Sequence, residues 1–219
     1  MQWDEFSDWG AKISQWAADY HTNLRDRPVR AQSAPGEVAA LIAPAPPEGP
    51  QDMGEIMEDF ERVVMPGITH WQHPRFFAYF PANAAPPSML AEMLVSTIAA
   101  QCMLWQTSPA ATEMETVMLD WLRQAIGLPK HFSGVIQDSA SSATLAAVLT
   151  MRERALNWEG NKSGLSGAAR LRIYCSSEVH TSVDRAIWVA GIGQDNLVRI
   201  PISGGLRGLR PEVLRKSIM

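Results

Sequence analysis

The sequence predicts an α/β fold: an N-terminal helical arm followed by a mostly parallel sheet with helices on its faces. Three observations carry this expectation. The first twenty residues place large apolar groups at steps of three and four. From Ser133 onward short β-branched runs alternate with longer amphipathic ones, the pattern of a parallel sheet with crossover helices. Between these regions lies a stretch rich in proline and aromatic residues that suits neither helix nor central strand.

The elements follow in order. Phe6, Trp9, Ile13, Trp16 and Tyr20 form one stripe of a helix whose other face carries Asp8, Lys12, Ser14 and Asp19. Such a helix either docks on its own core or buries its stripe against another subunit. Residues 25–50 hold Arg27-Pro28, Pro35-Gly36 and a proline-rich run at 43–50, so they read as a linker crossing a surface, with room for one short helix near Gly36–Ile42. Asp52 is placed to cap a helix carrying Ile56, Phe60 and Val63 or Val64, which Pro66-Gly67 stops. Residues 68–87 combine Trp71, Phe76, Phe77, Tyr79 and Phe80 with four prolines, an aromatic loop that packs on a core or lines a pocket. Ser88–Cys102 reads as a helix with few charges, buried on most sides. Ser108-Pro109 opens a second helix, with a stripe of Met114, Val117, Met118, Trp121, Leu122 and Ala125 closed by Gly127 and Pro129. Strands are expected at 134–137, 171–175 and 197–200, and helices at 140–158, 182–190 and 211–218. The natural division is an arm with its aromatic loop over 1–87 and a sheet-containing domain over 88–219.

Composition narrows the function. A chain of 219 residues with 46% hydrophobic and 19% charged residues and a net charge of −4 is globular in type. No Lys/Arg run exceeds two residues, which argues against a nucleic-acid partner. Two cysteines, Cys102 and Cys175, give neither a disulfide framework nor a zinc pattern, and no metal site is expected. No apolar stretch approaches the roughly 20 residues of a membrane span. The start, Met1-Gln2-Trp3-Asp4-Glu5, is acidic where a secretory signal is basic. A cytoplasmic protein without a membrane partner is the expectation.

Chemistry concentrates at one edge. Asp138-Ser139-Ala140-Ser141-Ser142 lies between a strand end and a helix start, where unpaired N–H groups and the positive helix end meet the carboxyl edge of a parallel sheet. The run is a phosphate cradle in physical terms, or a serine-rich cap and nothing more. His180 follows the next strand and falls on the same rim. His21, His70, His73 and His131 lack ligand spacing, and a packing or hydrogen-bonding role suits His70 and His73. Gly191-Ile192-Gly193 lacks the third glycine of a dinucleotide fingerprint and follows a helix, so it is set aside.

Four blocks then carry a family resemblance. His73-Pro74-Arg75-Phe76-Phe77-Ala78-Tyr79-Phe80-Pro81-Ala82-Asn83, Gln106-Thr107-Ser108-Pro109-Ala110-Ala111-Thr112-Glu113, Gly134-Val135-Ile136-Gln137-Asp138-Ser139-Ala140-Ser141, and His180-Thr181-Ser182-Val183 with Ala190-Gly191-Ile192 occur in this order. Together they resemble the group II pyridoxal 5′-phosphate (PLP) amino-acid decarboxylases, which include the aromatic-L-amino-acid and tyrosine decarboxylases. The resemblance implies a partial fold-type I PLP-transferase domain behind a dimerising arm. It also implies an intertwined homodimer and decarboxylation of an L-amino acid, aromatic in side chain, to the amine and CO2. By the same resemblance Ala140 and Ser141 bind the cofactor phosphate, and His180 stacks on the pyridine ring and assists protonation. Trp71, Tyr79, Phe80, Pro81 and Ala82 line the substrate pocket, while Gln101 and Met103 reach in from a partner subunit. Ala82 departs from the threonine that animal members often carry.

In the family, the aspartate facing the pyridine nitrogen and the His-Lys pair that holds PLP lie beyond the position matched by Met219. The only lysines here are Lys12, Lys130, Lys162 and Lys216, and none stands in that context. The chain therefore reads as the N-terminal portion of a decarboxylase, partnered by a second copy or by a complementary C-terminal chain. The alternatives are a non-catalytic remnant serving as a dimerisation or interaction module, and a reduced protein with another activity on the same rim.

Overall fold

The computed structural model describes residues 2–80, 84–205 and 207–219, in two compact units, Met1–Ala99 and Ala100–Met219. In the first unit, α1 (Trp3–Thr22) starts where the Gln2 N–H donates to the Glu5 carboxylate at 2.8 Å. After a 3₁₀ turn at Leu24–Asp26, the breakers at 25–50 leave one α-helical turn, α2 (Glu37–Ala40). Asp52 caps α3 (Met53–Asp59), its carboxylate accepting the Gly54 N–H at 2.7 Å. The helix widens into a π-turn at Phe60–Val64 and tightens into a 3₁₀ turn at Met65–Gly67, where the proline ends it. The next helix, α4 (Pro86–Ile98), begins on two prolines and ends at Ala99, whose φ of 49° is left-handed.

Trp16 ties α1 down by meeting Phe60 edge-on at 5.2 Å, and within the helix it stacks on Tyr20 at 5.4 Å. The linker runs over the 66–73 segment, with His70 N–H donating to the Val29 carbonyl at 2.9 Å and Ala31 N–H to Thr69 Oγ1 at 3.1 Å. His70 and His73 are buried and hydrogen-bonded, as their surroundings in the sequence suggested. An apolar groove of about 1030 Å³ is lined by Trp3, Phe6 and Trp9 of α1 with Met89, Leu90 and Met93 of α4.

In the second unit α5 (Pro109–Ala125) ends at Gly127, whose φ of 73° needs a residue without Cβ strain. The core lies between α6 (Ala140–Ala155) and α8 (Ser182–Val189), with the short α7 (Gly160–Ser163) after the first of them. Val148, Ala186, Ile187, Ala190 and Ile192 form its centre, and Leu145, Leu149, Ile173 and Leu197 pack around it. Strand β1 (Ile173–Ser176) pairs in parallel with β2 (Leu197–Ile200), Ile173 opposite Leu197 and Ser176 opposite Ile200. A small antiparallel pair, β3 (Ile202–Ser203) and β4 (Gly208–Leu209), leads into α9 (Pro211–Ile218).

Three expectations need correction. Residues 134–137 are not a buried strand: Val135 and Ile136 are exposed and no described strand pairs with them. The Ile136 N–H donates instead to the Glu115 carboxylate at 2.8 Å. Helix α4 is not buried on most sides, since Leu90, Leu94, Val95 and Ile98 are each 60% exposed or more. Its apolar character finds no covering surface among the described residues. Helix α6 stops three residues before the expected end, because Asn157 and Trp158 turn left-handed and the Trp158 N–H donates back to the Glu153 carbonyl at 2.7 Å.

Candidate functional site

Strand β1 delivers the chain to its carboxyl end at Ser176, and four residues later His180 stands ahead of α8. The α6 amino terminus lies beside that of α8. Ser139 caps α6 by accepting the Ser142 N–H at 3.2 Å, and donates its own proton to Ser142 Oγ at 3.2 Å. The N–H groups of Ala140 and Ser141 and the Ser141 hydroxyl have no partner among the described residues, and both residues are exposed. Two orphan amides, a hydroxyl and the positive end of a 16-residue helix suit a dianionic phosphate. This donor set fits the phosphate of PLP.

His180 is exposed, and its Nδ1 accepts the Ser182 N–H at 3.1 Å. That bond makes Nδ1 the acceptor, so the neutral ring carries its proton on Nε2. The two helix starts are linked by Thr144 and Ser182, whose hydroxyl oxygens lie 3.4 Å apart. The sequence reading missed both. The available signal was a hydroxyl four residues after Ala140 and another two residues after His180.

Below the rim, Asp184 accepts hydrogen bonds from Arg199 at 2.5 Å and Gln194 at 2.8 Å through Oδ1. These bonds, Arg199 first, hold its carboxyl below the usual range despite burial. The Asp184 Oδ2 is buried without a partner among the described residues. Burial pushes the Cys175 thiol up, more than Arg199 offsets, so it is a poor nucleophile.

The candidate substrate residues stand elsewhere in the chain. Trp71 stacks on Tyr79 with ring centres 5.5 Å apart and meets Phe76 at 5.0 Å with the rings tilted, both within the first unit. Tyr79 and Phe80 are exposed, and Tyr79 adopts a left-handed φ of 52°. Pro81 and Ala82 lie outside the described residues. Gln101 and Met103 are exposed on the segment before α5. Among the lysines, Lys12 sits over the Trp9 ring at 4.1 Å and Lys162 pairs with Glu159 at 3.6 Å. The described residues hold no cluster of three or more metal-ligating groups, and no described helix is long and apolar enough to cross a membrane.

Fold and site together define an α/β chain with a phosphate-ready helix start beside a histidine on one sheet edge. Comparison with known proteins identifies the class. A family model described as the pyridoxal-dependent decarboxylase conserved domain matches residues 35–219. The chain is 38% identical to an aromatic-L-amino-acid decarboxylase of Rattus norvegicus, over 98% of this chain and 46% of that protein. It is 33% identical to a phenylacetaldehyde synthase of Arabidopsis thaliana, over 100% of this chain and 45% of that protein. The crystal structure of Catharanthus roseus tryptophan decarboxylase in complex with L-tryptophan superposes with a TM-score of 0.91 at 34% identity, covering 100% of this chain and 46% of that one. The chain belongs to the pyridoxal-dependent decarboxylase family, and it spans about half the length of the relatives it matches.

Proposed function

We propose that the chain forms the N-terminal part of a cytoplasmic PLP-dependent carboxy-lyase that converts an aromatic L-amino acid to its amine and CO2. The observation that carries this reading is the pairing of orphan amides at Ala140 and Ser141 with His180 on the same edge, in a chain of this family. Ala140 and Ser141 hold the cofactor phosphate through backbone N–H groups. His180, with Nδ1 held by Ser182, would meet the cofactor ring and would offer its Nε2 proton to an acceptor. When bound, PLP supplies the electron sink that takes up the bonding pair left as the carboxylate departs.

Trp71, Tyr79, Phe80, Pro81 and Ala82 line the pocket for the substrate side chain. Gln101 and Met103 complete the pocket of a second subunit. The groove between α1 and α4 and the exposed α5 stripe support assembly into a homodimer or with a complementary C-terminal chain. Both surfaces are apolar and uncovered, which also favours the second reading, a non-catalytic dimerisation or interaction module.

The test is release of CO2 from carboxyl-labelled L-tyrosine, L-tryptophan, L-DOPA and L-phenylalanine by the chain saturated with PLP, together with any polypeptide that co-purifies with it. Product analysis separates amine from aldehyde. Borohydride reduction and peptide mass mapping follow. Amine formation, with the phosphopyridoxyl mark on a co-purifying polypeptide and none on Lys12, Lys130, Lys162 or Lys216, supports the proposal. A stoichiometric mark on one of these four makes the chain self-sufficient and overturns the assignment as a part. No CO2 and no PLP uptake by a stable homo-oligomer supports the interaction module.

A further inference from the structure

We propose that Thr144 and Ser182 are a positioning pair that fixes His180 relative to the amino terminus of α6. The proposal deepens the cofactor-site reading and rests on it for its functional meaning. Thr144 has one hydroxyl proton, and it goes to the Ala140 carbonyl at 2.8 Å. The approach of Ser182 Oγ to Thr144 Oγ1, 3.4 Å, therefore has Ser182 as donor. Ser182 is 7% exposed, and its backbone N–H donates to His180 Nδ1 at 3.1 Å. A continuous path thus runs from the Ala140 carbonyl through two hydroxyls to the imidazole.

The packing explains why such a path is needed. Apart from its ends, the contact between α6 and α8 is apolar, built on Val148, Ala186 and Ile187. Apolar burial is non-directional and does little to resist a small slide of one helix along the other, whereas hydrogen bonds have narrow distance and angle ranges. At the far ends of the two helices, Arg152 donates to the Ala190 carbonyl at 2.8 Å. At the near ends, Thr144 and Ser182 set the register. A slide there would move the Ala140 and Ser141 amides relative to the His180 ring and loosen the bond that holds Nδ1 as the acceptor.

The experiment reads the His180 imidazole ¹⁵N signals in the full labelled chain, together with affinity for PLP and for inorganic phosphate. Thr144→Val is expected to shift His180 from the Nε2–H pattern toward a tautomeric mixture and to weaken PLP binding about fivefold, the scale of one neutral hydrogen bond. Thr144→Ser restores both readouts. Ser182→Ala keeps the backbone N–H and serves as the second variant, with the same direction of shift. Combined with Thr144→Val it adds little. Thr150→Val is the control, because Thr150 makes the same bond to the carbonyl four residues back, at 2.8 Å, on an exposed face. Identical His180 spectra in the wild type, Thr144→Val and Ser182→Ala overturn the proposal. If His180 follows Thr144 while the wild type binds neither PLP nor phosphate, the positioning pair stands and the cofactor reading falls.

Discussion

The Tyr20 hydroxyl lies 2.8 Å from Nδ1 of His70, a bond that spans fifty residues and fastens α1 to the start of the aromatic loop. His70 is 2% exposed. Burial, and then the positive charge of Arg27 and the neighbouring His73, push its imidazole below the ordinary value of about 6.5. A group whose folded pKa is lowered in this way is more protonated in the unfolded chain. Its contribution to stability is complete above about pH 6.5 and is lost as pH falls below that value. Urea unfolding at pH 8 and pH 5.5 should show this loss. His70→Asn, which keeps an acceptor for Tyr20, should flatten the dependence. Tyr20→Phe should cost about 1–2 kcal/mol at pH 8 by leaving Nδ1 unpaired.

Gly160 stands where a Cβ would fall 2.4 Å from Glu153 Oε1. That carboxylate cannot move aside easily, since Arg152 donates to it at 2.9 and 2.7 Å and the Asn161 N–H at 2.9 Å. Burial alone would raise the Glu153 carboxyl, but these bonds outweigh it and hold it low. Gly160→Ala should lower the Tm by several degrees in a thermal melt. In a Glu153→Ala background the same change should cost much less, because the obstructing carboxylate is gone.

Asp184 is held below the usual carboxylate range by Arg199 and Gln194. The sign is the same as for His70, and the window lies lower: its contribution is full above about pH 4 and is lost as pH falls through the lowered value. Asp184→Asn should destabilise the protein at pH 7, and its unfolding curve should converge on that of the wild type near pH 2. Urea titrations at both pH values check this.

Asp52 caps α3 through a single bond to the Gly54 N–H. Asp52→Ala should cost about 1 kcal/mol, while Asp52→Ser should recover most of it. Denaturant midpoints of the three proteins decide the matter.

Local signals were legible in the sequence. Asp52 as a cap, Ser108-Pro109 as a helix start, Leu197–Ile200 as a strand and Pro211–Ile218 as a helix all depend on residues within a few positions. Residues 134–137 show the limit, because an apolar run becomes a strand only if another strand pairs with it, and pairing is not a local property. The exposed α4 shows the same limit for burial. At the site, the block 138–142 and His180 were readable as two polar signals on one rim. Thr144 and Ser182 were not, because their meaning depends on how two helices remote in sequence abut. The family itself was legible in four ordered blocks, and the comparisons bear it out.

The uncovered surfaces also have an optical consequence. Of the eight tryptophans, six are exposed: Trp3, Trp71, Trp105, Trp121, Trp158 and Trp188. Indole emission shifts to longer wavelength in water and to shorter wavelength when covered, so the free chain should fluoresce toward the red. Trp3 reports on the α1–α4 groove, Trp121 on the α5 stripe and Trp71 on the aromatic loop. These exposed indoles are thus built-in dyes for any surface that comes to cover them.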